Sequence, residues 1–152
     1  SRTVLNELGK PSNLTEPQYI KENARLAEST VLSLQLQMED ILSAFERADQ
    51  QADALIAQFE EAAREGIQKK WDDVRDENAE KYTQFFSTEQ DVLMAQLRLI
   101  EFYAAHSDAL SIDAENERVL FEAVDLQEEE ALLRGEIMRL RAAQKDALQA
   151  DG

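Results

Sequence analysis

Thirteen positions keep a strict 4-3 spacing and every one is apolar: Ile20, Ala24, Ala27, Val31, Leu34, Met38, Ile41, Phe45, Ala48, Ala52, Leu55, Phe59 and Ala62. An average step of 3.5 residues holds one stripe of an α-helix toward a partner over about six heptads. At 43% hydrophobic residues, chance does not sustain such a pattern. Pro11 and Pro17 both lie before this stripe and no proline follows them, so nothing of that kind interrupts a helix downstream. Ala, Glu, Gln and Leu dominate, and all are good helix formers. The fold class is therefore all-α: an elongated antiparallel helical bundle, or coiled-coil hairpin, of about three long helices with no β-sheet.

The chain divides into a flexible lead-in at 1–14, with a short turn around Val4–Leu8, a single helical bundle domain at 15–148, and a frayed tail at 149–152. Thr15-Glu16-Pro17-Gln18 reads as a capping box, with Thr15 as N-cap and Pro17 in the first turn. Residues 64–81 form the most charged stretch, and there the apolar stripe slips phase to Ala63, Ile67, Trp71 and Val74. Two readings compete. In one, Gly66 ends the helix in a Schellman turn and the chain reverses; in the other, a single helix runs through with a four-residue stutter.

The next segment, about 70–106, carries two adjacent apolar rows, Tyr82, Phe85, Val92, Leu99, Tyr103 and Phe86, Leu93, Leu97, Ile100, Ala104. A face that wide is buried against more than one neighbour, which makes this the central helix. Ser87 with Gln90 forms a second capping box, where a kink is allowed. His106–Asp113 reads as a loop, with Ser111 or Asp113 capping the last helix. That helix places Val119, Ala123, Leu126, Leu133, Ile137, Leu140 and Ala147 on its stripe. Glu130 and Gln144 break the stripe; on the seam Glu130 would set helix register or meet an Arg, and a position near the bundle edge suits it better. Gly135 costs about 1 kcal/mol relative to Ala, and close approach of a neighbouring helix would account for it.

The sequence points to no catalytic, cofactor or metal site. His106 is the one histidine, so the Glu-x-x-His pairs of di-iron bundles cannot form. Glu128-Glu129-Glu130 splay around a helix and do not converge on one ion. No glycine-rich phosphate loop or calcium loop occurs. Asn13-Leu14-Thr15 matches the glycosylation triplet, a pattern common by chance. The lack of cysteine excludes disulfides, thiolate catalysis and cysteine-type zinc or iron–sulfur sites, and it leans toward an exported over a cytosolic protein. The first residue is Ser, which reads as an excised domain or a mature form. No run of about 18 apolar residues exists to span a membrane.

A formal charge of −16 repels nucleic acid and anionic membranes. The reading left is a non-enzymatic structural or protein-interaction module that acts through coiled-coil-type packing, with a protein partner or by self-association. The alternative is the extracytoplasmic ligand-sensing bundle of a receptor. The first helix spans about 75 Å and the others about 55 Å, so some turns overhang. The expected partner contact is either the row Ile20, Ala24, Ala27, Val31 or the tip at Ile67 and Trp71.

Overall fold

The computed structural model describes residues 2–150 and is 82% helical. A short helix, α1 (Arg2–Leu8), leads through a single 3-10 turn at Pro11–Asn13 into α2 (Pro17–Ile56) and α3 (Glu61–Ala105). Two strands, β1 (Leu110–Asp113) and β2 (Arg118–Phe121), separate α3 from α4 (Val124–Ala150). The long helices α2 and α3 pack against each other and α4, so the all-α bundle is the architecture. The chain forms two compact units: Ser1–Leu34 with Thr88–Gly152, and Gln35–Ser87.

In the first unit the core gathers Leu14 and Ile20 with Ala95, Leu99, Phe102 and Tyr103 of α3, Val119 and Phe121 of β2, and Ile137 of α4. The C-terminal half of the wide apolar face read on α3 is buried here, at Val92, Leu93, Leu97 and Ile100 as well, whereas Tyr82 and Phe85 of the same rows lie in the other unit and stay exposed. The segment read as a loose lead-in is folded: Leu5, Leu8 and Leu14 are buried, and Asn6 Oδ1 accepts from Gln96 Nε2 at 2.6 Å and from Arg141. Its reach is short, but three leucines dock it. At the other end, α4 covers Gln149 and Ala150, and the remainder of the expected tail lies outside the described residues.

A two-stranded hairpin replaces the expected loop and the first turns of the last helix. Leu110 pairs with Phe121 and Ile112 with Val119 in an antiparallel ladder. Val119 and Phe121 point into the core while Arg118 and Leu120 point out, the two-residue alternation of a half-buried strand. Asp113 caps the turn and not a helix: its carboxylate accepts from Asn116 Nδ2 at 2.7 Å and from Asn116 N at 3.3 Å. Glu117 takes the left-handed conformation that closes the loop (φ 50°).

Glu130 is not at an edge but 1% exposed. Its carboxylate accepts from Tyr103 Oη at 2.8 Å and from Arg134 Nε at 2.5 Å. Gln127 adds a 3.4 Å contact to it and also accepts from Phe121 N at 2.9 Å. A buried carboxylate survives when its charge is paired and its lone pairs are filled. Burial, then the Glu130 carboxylate beside it, pushes the Tyr103 phenol far above its ordinary range, so it stays protonated and can donate. Gln144, the other residue breaking the stripe, is also buried, and donates to Glu89 at 2.8 Å.

The chain does reverse between the first two long helices, but the reversal precedes Gly66. Helix α2 ends in tightened turns, with Gln58 N donating to Leu55 O and Phe59 N to Ile56 O, both at 3.1 Å. Glu60 then opens α3, its carbonyl accepting from Ala63 N and Arg64 N, while Arg64 Nε donates to Phe59 O at 2.7 Å. Helix α3 passes through Gly66 and through Ser87–Gln90 without interruption. At Gly66 and at Gly135 nothing lies within 4 Å of where a Cβ would stand, so neither serves a Schellman turn nor a close helix approach. Gly66→Ala and Gly135→Ala should each raise stability by about 0.5–1 kcal/mol in denaturant unfolding. A loss of stability at either position would contradict a plain helical interior there.

Candidate interaction surface

The second unit is a helical hairpin built from the last half of α2 and the first half of α3. Side-chain layers fix its antiparallel register. The Phe45 and Tyr82 rings lie 4.6 Å apart between centroids. One level nearer the turn, Asp49 Oδ1 accepts from Trp71 Nε1 at 2.8 Å and from Arg75 at 3.3 Å. Nearer still, Gln68 Nε2 donates to Asp53 at 3.1 Å. These layers hold two helices side by side, yet within 35–87 Ile56 is the only residue that is buried.

The apolar stripe of α2 is therefore wet in this unit. Large apolar side chains stay exposed on both helices, from 40% at Phe85 to 60% at Leu55, with Leu42, Phe45 and Tyr82 at 42% and Val74 at 52%. The cause lies in the facing arm. Residues 64–81 carry mostly charge and offer the α2 stripe few apolar side chains. Between the helices runs a groove of about 440 Å³ lined by Leu42, Phe45, Ala48, Trp71, Val74, Ala79 and Tyr82, with Glu46, Asp49, Arg75, Asn78 and Thr83 among them.

Of the residues expected to make partner contact, the structure separates two sets. Ile20, Ala24, Ala27 and Val31 are buried in the first unit, so they form no exposed row. Helix lengths alone did not suggest this cover; Ile20 belongs to the core it shares with α3, β2 and α4. Ile67 and Trp71 lie in the hairpin, half-buried, and Trp71 lines the groove. The reading missed Leu42, Phe45, Val74 and Tyr82. Phe45 stands on the 4-3 stripe, and the spacing alone predicts burial where the structure leaves it 42% exposed. The usable signal was the mismatch between an unbroken α2 stripe and the charged 64–81 segment opposite it.

Chemically, the groove can bind apolar surface. Covering each half-exposed side chain returns about 1 kcal/mol, which outweighs most surface ion pairs at about 0.2–1 kcal/mol. Among the described residues, no three His, Asp or Glu side chains gather as a metal site, and no helix is long and apolar enough to cross a membrane. His106 lies beside Phe102, with rings 4.7 Å apart, in the other unit. No family model, curated protein or solved structure matches the chain.

The Trp71 indole, and after it Arg75, hold the Asp49 carboxyl below its ordinary range. The fold favours ionised Asp49, so its stabilising contribution is complete above the ordinary value of about 3.9 and lost as pH falls through the lower folded value. Trp71 fluorescence should hold steady down to about pH 4 and change below it. Asp49→Asn should remove that transition. A transition near neutral pH, or one that persists in the variant, would contradict this coupling.

Proposed function

We propose that the chain is a non-enzymatic helical interaction module whose working surface is the apolar face of the Gln35–Ser87 hairpin. It acts through coiled-coil-type packing: the hairpin supplies two helices of a bundle and a partner supplies the rest. One observation carries this reading. Within 35–87 only Ile56 is buried, while Phe45, Val74, Leu55 and Tyr82 keep 42% or more of their surface exposed. Exposed apolar rows on that scale mark contact surfaces. The ligand-sensing alternative draws on the groove volume of about 440 Å³, which is within the range of small-molecule pockets.

The chain has no cysteine, so single-cysteine variants allow clean attachment of a photo-crosslinker. Val74→Cys samples the groove. Leu132→Cys, on α4 and 74% exposed, is the control for general stickiness. The expected result is a discrete protein adduct from Val74→Cys and none from Leu132→Cys. Equal adducts from both, or none from either, would overturn the proposal. A Trp71 response to apolar small molecules without any protein adduct would favour ligand sensing instead.

A further inference from the structure

We propose that the occupant of the hairpin groove is a basic amphipathic α-helix, which lays its apolar row between α2 and α3 and its Lys or Arg side chains over the rim. This inference rests on the interaction-module reading and names the partner chemistry for the same surface. The groove runs along α3 from Trp71 to Thr83, about 18 Å, or some three helical turns. Its floor offers aromatic and aliphatic side chains from both helices, which suits anchors repeating at i, i+3 or i+4, and i+7.

Charge decides between a basic helix and a second copy of this chain. The hairpin carries 13 acidic and 6 basic side chains, a net of −7 within a chain of −16. The groove's own cation is already taken. Arg75 meets Asp49 at 3.3 Å, Asp72 at 3.1 Å and Asp76 at 3.0 Å, one guanidinium among three carboxylates. Glu46 also lines the groove, and Glu39, Glu46 and Asp53 recur every seven residues along one edge of α2. A second hairpin would bring another −7 against this rim, whereas a cationic helix would neutralise it. Salt weakens charges farther apart than about 8 Å but leaves close pairs across a groove to select the partner.

Trp71 is the chain's one tryptophan and lines the groove, so its emission reports occupancy directly. The probe is a synthetic peptide of about 14 residues made of Lys and Leu, with Leu at i, i+3, i+4 and i+7 spacing. A peptide with Glu in place of Lys is its control. The Lys/Leu peptide should shift Trp71 emission to shorter wavelength and saturate. Its affinity should fall about tenfold with Glu46→Lys and about tenfold with Val74→Asp. Both positions are exposed, and helical circular dichroism checks that each variant still folds. The Glu/Leu peptide should give no shift.

Equal binding of both peptides would overturn the basic-partner assignment and leave the interaction surface standing. So would a shift that grows with the chain's own concentration together with a dimeric mass in light scattering. A Lys/Leu response that neither variant weakens would be generic attraction to an acidic surface and would overturn this inference. If neither peptide shifts the emission and the chain stays monomeric, both the partner chemistry and the interaction surface are overturned.

Discussion

A helix stripe becomes dry only where enough neighbours close over it, and two helices alone do not close over a stripe this wide. The same 4-3 pattern runs through the whole of α2. At Ile20, Ala24, Ala27 and Val31 it is buried, and Ile20 shares its core with α3, β2 and α4. At Ile41, Phe45 and Leu55 it has only the other arm of the hairpin to pack on, Phe45 meeting Tyr82 there, and stays exposed. One sequence pattern thus yields a core in one unit and a surface in the other. The difference comes from what packs opposite and not from the pattern itself.

The first unit gains its specificity from polar side chains set into apolar surroundings. Glu130 ties Tyr103 of α3 to Arg134 on its own helix, and Gln127 ties that cluster to the backbone of β2. Leaving a buried oxygen of that carboxylate without its Tyr103 donor costs about 1–3 kcal/mol. The network therefore favours the placement of α4 that sets Glu130 beside Tyr103 and Gln127 against β2. The second unit has no counterpart. Its cross-helix polar contacts, Asp49 with Trp71 and Arg75 and Asp53 with Gln68, are at most partly buried, which sets register without drying an interior.

Much of this was legible from residues alone. Helix α2 begins at Pro17, one position after the start that a Thr15 cap would set, because proline at N1 is a signal with a mechanism, although Gln18 donates to Glu22 rather than back to the cap. The wide face of α3 identified the central helix. The reversal at 57–60 was not legible at its place. It uses neither Gly nor Pro, and among the described residues only Glu117 has positive φ, so the expected glycine stop had no role. Tightened terminal turns, the Glu60 carbonyl and Arg64 end one helix and start the next, and those residues look helical in sequence. The β-hairpin escaped for a different reason: its strands are four residues each, too short for alternation to beat the 3.6-residue spacing of Val119, Ala123 and Leu126. Glu130 falls on the stripe in sequence, but nothing local separates a buried, Arg-paired carboxylate from one at the bundle edge until Tyr103 is seen beside it.

For the groove, the stripe on α2 was visible, but its exposure depended on which residues faced it. That is a tertiary property set by the position of the turn. The 35–87 hairpin has no dry core of its own, while the rest of the chain has a closed one. Helices without a dry core open locally at low cost, and amide exchange reads that cost. Hydrogen exchange followed by mass spectrometry across the isolated chain tests the claim most directly. Peptides from 35–87 should exchange orders of magnitude faster than those from 17–34 and 88–105, although all three lie in α2 and α3. Uniform slow exchange along the full length of both helices would contradict it.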